Sequence, residues 1–207
     1  MSKMNSMKED GKTILMLSLI SSSSKKGWLG ITKLQKLSFL TEYFLMEKSQ
    51  RAFGYEFFMY DHGPISKEVY QDYESLLDKE LIDEDEDGIK VTEFGDGINE
   101  QFKDLIPEEV KTTMCYVVKH YAHLKTHELV KAVHCMNIKL ADGSIVRIDD
   151  IDRSCVLLPE TSDTAFKIEK SYMETFAVLS NKSLTNAIRA ARKNKSRSKP
   201  YESLVSS

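Results

Sequence analysis

The hydrophobic pattern is densest between residues 34 and 82, in LQKLSFLTEYFL followed by YEFFMYDHGPISKEVYQDYESLLDKELI. In the first run Leu34, Leu37, Leu40 and Phe44 recur at helical spacing, and Phe39 and Tyr43 widen that face. This predicts an amphipathic helix from Lys33 to about Lys48, N-capped by Thr32. Tyr55–Tyr60 is rich in aromatics and predicts a strand, broken by Asp61-His62-Gly63-Pro64. Ser66 is placed to N-cap a further helix that ends near Leu81 and carries Val69, Tyr73, Leu76, Leu77 and Leu81 on one face. Val69, Tyr73 and Leu77 are expected to pack on Leu34, Leu37, Leu40 and Phe44. Asp87-Gly88 signals a hairpin turn, with Ile89 and Val91 alternating after it, and Gly95 and Gly97 are expected to close the unit. Upstream, ILMLSLI (14–20) predicts a buried first helix over about 11–22.

Beyond Asn99 the pattern is helical again, near 99–105, 108–123 and 127–136, with Pro107 at N1 of the second segment and Thr126 capping the third. Residues 137–163 are looser, with a small hairpin expected around Ala141-Asp142-Gly143-Ser144 and an acidic loop ending near Pro159. Two helical pieces follow over 164–193, split by Ser180-Asn181-Lys182, and a Ser- and Lys-rich stretch runs on from Lys195. The predicted fold is α+β and mostly α: a winged-helix-like N-terminal core with a small hairpin, then a helical array. Its expected divisions are a flexible 1–10, a core over 11–97, a helical middle over 98–163 and a helical, basic C-terminal extension over 164–207.

Charge sharpens this reading. The net charge of −3 is modest, but its distribution is not even. The helix that would read DNA in a winged helix carries Lys67 and Lys79 against Glu68, Asp72, Glu74, Asp78 and Glu80, and the hairpin adds five consecutive acids, Asp83 to Asp87. Phosphate binding demands the opposite sign, so DNA reading is the minor reading of this face; it reads as a solvated acidic face or, more sharply, as a surface for protein contact. The cations Lys182, Arg189, Arg192, Lys193, Lys195, Arg197 and Lys199 follow one another with no acid between them. Ahead of and among them, Tyr172, Phe176, Leu179, Leu184 and Ile188 have apolar spacing suited to a partner's groove.

Candidate chemistry is sparse. His120, His123, His127 and His134 lie close in sequence beside Cys135, but Lys125-Thr126 reads as a helix break that separates His123 from His127, and no carboxylate completes a zinc motif. No metal or other cofactor is expected. Cys115, Cys135 and Cys155 fit neither a CxxC pair nor a disulfide framework, which points to a reducing, cytoplasmic setting. The seven-residue run 14–20 is too short to span a bilayer. His62 beside Asp61 has no nucleophile to serve and is read as part of the turn, and no phosphate-binding or nucleophile-elbow motif is present. No enzymatic activity is expected.

LQKLSFLTEYFL, the YDHGP turn and EVYQDYESL followed by LI resemble the Panacea (SocA-like) domain of toxin–antitoxin systems, over about residues 14–95. The Leu34–Leu37 element is intact, and the family's Tyr- or His-Gly-Pro turn reads here as Tyr60-Asp61-His62-Gly63-Pro64, an insertion-like variant. The tail SYMETFAVLSNKSLTNAIRAARKNKSRS is similar to the toxin-binding segments that end many small antitoxins. The resemblance implies a non-enzymatic protein that neutralises a cognate protein toxin by direct contact. The contact residues expected are Tyr60, His62 and Tyr70 in the core and Tyr172, Phe176, Leu179, Leu184, Ile188, Arg189 and Arg192 in the tail. Alternatives left open are a transcriptional regulator that binds DNA through the basic C-terminal segment and an accessory protein of a phage or mobile element. The oligomeric state is not legible.

Overall fold

The computed structural model describes the backbone of residues 2–139 and 143–197 and the side chains of 11–139, 143–188, 190 and 191. Within these residues the chain is α+β and mostly helical. Two long helices open it, α1 (Ser2–Ser24) and α2 (Ile31–Met46). The antiparallel pair β1 (Phe57–Tyr60) and β2 (Gly63–Ile65) leads into α3 (Lys67–Asp78). The hairpin β3 (Ile82–Asp85) and β4 (Gly88–Val91) precedes α4 (Glu93–Phe102), α5 (Glu108–Tyr121) and α6 (Thr126–His134). A second hairpin, β5 (Asn137–Lys139) with β6 (Ile145–Arg147), is followed by β7 (Val156–Leu158), α7 (Lys170–Leu179) and α8 (Lys182–Arg197).

Helix α2 is the centre of the molecule. It packs on α5 and α6 and meets α1, α3 and β2 elsewhere, so that twelve of its sixteen residues are buried. Leu34, Leu37 and Leu40 are buried as expected, but α3 packs chiefly on α1 rather than on α2. Phe44 instead stands edge-on to Tyr116, with ring centroids 5.4 Å apart. The expected Thr32 cap is displaced because the helix begins two residues earlier, at Ile31, with Gly30 as N-cap and no side-chain cap bond.

Ser66 caps α3 by accepting from the Glu68 backbone N–H, as its position predicts. Asp87-Gly88 turns the β3–β4 hairpin, in which Asp85 pairs with Gly88. Gly95 and Gly97 do not close the unit; they lie inside α4. Gly95 is required by proximity, since a Cβ there would come within 1.9 Å of the Leu81 carbonyl oxygen. Thr92 starts α4: its hydroxyl accepts from Gly95 N–H at 3.0 Å and donates to Glu80 O at 2.8 Å. Thr92→Ala removes both bonds and is expected to cost about 1 kcal/mol, read as a lower denaturation midpoint at unchanged m-value. Pro107 and Lys125, rather than Thr126, occupy the N-cap positions of α5 and α6.

The largest departure from the sequence pattern is β7. Val156–Leu158 lies in the stretch read as an acidic loop, yet it pairs antiparallel with β1 to give a three-stranded sheet ordered β2-β1-β7. Helix α7 folds back on α1 and α4, with Phe176 fully buried edge-on to Phe102 at 5.3 Å. Among the described residues no helix is long and apolar enough to cross a membrane.

Candidate partner-binding face

The polar residues of α2 hold the β1–β2 turn. Gln35 offers its whole amide to one residue: Oε1 accepts from Ser66 N–H at 2.9 Å and Nε2 donates to Ser66 O at 2.8 Å. Lys36, fully buried, donates from Nζ to Pro64 O at 2.8 Å. The turn residue Gly63 sits at φ +82°, where glycine is favoured, and an added Cβ would stand 3.0 Å from Nε2 of His134. His134 is oriented from its other nitrogen, Nδ1, by Asp149 at 2.6 Å. The chain therefore clamps Gly63-Pro64-Ile65-Ser66 from behind through side chains that look like a solvent face in the sequence.

Burial pushes the Lys36 ammonium from its usual 10.5 down to about 7. Between those values the unfolded chain holds a proton that the folded chain has lost, so stability is expected to rise from about pH 7 towards pH 10. One such group contributes at most about 1.4 kcal/mol per pH unit. Urea titrations across this range should show the rise in the native chain and its loss in Lys36→Met.

A second buried network holds the approach to β1. The Glu42 carboxylate, with no exposed surface, accepts from the backbone N–H groups of Phe53 and Gly54, the latter at 3.0 Å, and pairs with Arg51 Nε. Arg51 in turn donates to Tyr55 O at 2.7 Å and to Pro159 O at 3.0 Å, tying the start of β1 to the end of β7. Tyr55 is buried and donates to Asp72, which also accepts from Thr13 at 3.0 Å and so links α1, α3 and the β1 approach. Burial raises the Asp72 carboxyl to about 6 against the lowering pull of the Tyr55 and Thr13 hydroxyls.

These clamps display one face of the sheet. Cross-strand partners share a face, so Phe58 and Ile65 stand in a row to which strand alternation adds Tyr60; the β1–β7 register shifts between Phe57 and Phe58, and Val156, paired with Phe58, is exposed beside them while Leu158 is buried. Phe57, Met59 and Leu158, on the opposite face, are buried. In the outer row Phe58 and Ile65 are half-buried, while Tyr60 and Val156 are 49% and 47% exposed. Asp61 and His62 form the exposed turn at the end of the row, and Asp61 pairs with Arg153 at 2.5 Å. The result is an apolar strip on a locked support, rimmed by charge.

The chain matches the family model described as "Antitoxin SocA-like, Panacea domain" over residues 34–137. The protein belongs to this family. No curated protein and no solved structure matches the chain. The matched Panacea span begins at Leu34, the first residue of the clamp helix motif, and ends at Asn137, the first residue of β5. It contains Gln35, Lys36, Glu42 and the β1–β2 turn, but not α1, β7 or α7. Here the Panacea core is completed by segments on both sides: α1 carries six core residues between Ile14 and Ile20, and β7 supplies Val156 to the exposed row.

Of the residues predicted for partner contact, Tyr60, His62 and Tyr70 are exposed on or beside the Panacea core. The C-terminal stripe does not stay together as a free face. Phe176 is fully buried, Leu179 is half-buried against the core, and Tyr172 and Leu184 are exposed. Ile188 is half-buried, and the side chains of Arg189 and Arg192 lie outside the described residues. Helix α8 is rooted by an ion pair of Lys182 with Glu80. Asp83–Asp87 are exposed, as a solvated acidic hairpin should be. His123 and His127 stand on opposite sides of the α5–α6 break, and no metal-holding cluster is present among the described residues. The three cysteines are free and exposed. The sequence pattern did not point to Val156, because β7 has no strand signal of its own, nor to Ile65, which follows the Gly63-Pro64 turn in β2, nor to Trp28, which is 52% exposed beside Gly88 of the acidic hairpin.

Proposed function

We propose that this Panacea protein is a non-enzymatic antitoxin that acts in the cytoplasm by binding a protein toxin encoded beside it, through the outer face of the β2-β1-β7 sheet. The observation that carries this reading is the exposed row Ile65, Phe58, Tyr60 and Val156, built on the Gln35–Lys36 clamp inside the matched family span. A strip of this kind, rigid before contact, loses little entropy when a partner covers it. The order α1, α2, α3, then the β3–β4 hairpin, supports a winged-helix-like core whose reader surface has turned acidic and serves protein contact. The sheet face is preferred to the C-terminal stripe because Phe176 and Leu179 already serve the chain's own core. Co-expression with the neighbouring toxin tests the function. The unaltered chain should restore colony formation, and Tyr60→Asp with Val156→Asp should abolish the rescue at unchanged antitoxin abundance. Full rescue by the double variant would move the contact elsewhere.

A further inference from the structure

A cavity of about 290 Å³ opens between α1, residues 52–53 ahead of β1, the 161–168 segment and α7. None of Ile65, Phe58, Tyr60 and Val156 lines it. Its apolar lining comes from Leu15, Ala52, Phe53, Phe166, Ile168 and Met173. The chain itself fixes the walls. Thr161 N–H donates to Gly54 O at 3.0 Å and Ala165 N–H to Arg51 O at 2.7 Å, which ties the 161–168 segment to the approach to β1. Phe53 is held through its N–H by the Glu42 carboxylate, and its ring stacks on the buried Tyr55 ring at 4.9 Å. In the wall formed by α1 stands Gly11, inside a 23-residue helix where glycine is disfavoured. A Cβ at Gly11 would meet only Ile168, at 3.7 Å, so the missing side chain leaves this wall open.

The charge of this cavity is one-sided. Among the described residues Lys12 and Lys167 line it and no carboxylate does. Lys167 is engaged by Asp163 at 3.0 Å, which leaves Lys12 as the cation for a ligand. The Lys12 ammonium stands 5.1 Å from the centroid of the Tyr55 ring. The Asp72 carboxylate, whose charge reaches Lys12, is already bound by the Tyr55 and Thr13 hydroxyls. The Thr161 hydroxyl accepts from Asp163 N–H at 3.1 Å and keeps its own proton to donate. The geometry points to a binding site for one small amphipathic monocarboxylate, its apolar chain among Leu15, Phe53, Phe166 and Met173 and its carboxylate at Lys12. Fixed apolar walls with few convergent polar groups are the usual make-up of a small-molecule site. A polyphosphate needs several cations, and one uncommitted ammonium matches a single negative charge. The site does not rest on toxin contact, and its test involves no toxin.

The test is calorimetric titration of the full chain with decanoate and with decylammonium, which share a chain and differ in the sign of the head. Decanoate should bind one molecule per chain with a dissociation constant below about 1 mM, and it should raise the thermal midpoint as its concentration rises. Decylammonium should bind at least about tenfold more weakly, because Lys12 repels it. Lys12→Met keeps the length of the side chain without its charge and should weaken decanoate binding about tenfold, at an unchanged thermal midpoint without ligand. Gly11→Leu places a side chain beside Ile168 in the cavity and should abolish binding. Its own midpoint should stay level or rise, since leucine is the better helix former. Absence of saturable one-to-one binding by the unaltered chain would overturn the inference. So would decylammonium binding as tightly as decanoate, or parent-like decanoate binding by either variant.

Discussion

Glu42→Ala is expected to lower stability by about 3–5 kcal/mol, because it strands the partners of a fully buried carboxylate. Arg51 would keep a nearly buried guanidinium without its counter-charge, and Phe53 and Gly54 would lose the acceptor for their N–H groups. The loss falls on the segment that carries the chain into β1, so the sheet should loosen along with the core. For a chain of this size the shift corresponds to roughly 6–20 °C in the thermal midpoint. Glu42→Gln, which can still accept from the two N–H groups, should cost less. A midpoint within about 2 °C of the parent for Glu42→Ala would show that the network is not holding the loop.

Leu37→Ala should be nearly as damaging, at about 2–5 kcal/mol, for a different reason. Leu37 is fully buried on a helix that is enclosed on most sides, by α5 and α6 and less extensively by α1, α3 and β2. Rigid neighbours cannot close around a missing side chain, so the transfer loss and the cavity add. Phe44, half-buried at the edge of the same helix against Tyr116, gives the contrast. Phe44→Ala should cost less than a core Phe normally does, because water can reach the space it leaves. Urea denaturation of both variants measures the difference. A Leu37→Ala midpoint equal to the parent's would remove α2 from the centre of the fold.

How far the fold was legible depends on the range of the interactions involved. Ser66, Asp87-Gly88 and the apolar spacing of α2 and α3 act within a few residues, and each predicted its element. Gln35, Lys36 and Glu42 were also visible, but as the polar side of an amphipathic helix. Their burial follows from partners 31, 28 and 9 residues away, which no local pattern can announce. The three-residue strand β7 carries no periodicity of its own and exists because β1 offers it an edge. Val156 therefore entered the candidate face only in three dimensions. Tyr60 and His62 were legible because the turn that presents them has its own chemistry in Gly63 and Pro64. The C-terminal stripe misled in the opposite sense: its spacing correctly predicts α7 and α8, but spacing alone cannot tell a partner's groove from the chain's own α1 and α4.

Titration of the purified chain with the neighbouring toxin, by calorimetry, tests the central claim most directly. Two double variants are compared with the parent: Tyr60→Asp/Val156→Asp on the sheet face, and Tyr172→Asp/Leu184→Asp on the exposed positions of α7 and α8. The account predicts that the sheet-face pair weakens binding by about 100-fold or more at an unchanged thermal midpoint, as expected when two buried anchors are replaced by charge. The helix pair should stay within about threefold of the parent. Parent-like binding by the sheet-face variant, with the loss appearing in the helix variant instead, would contradict it.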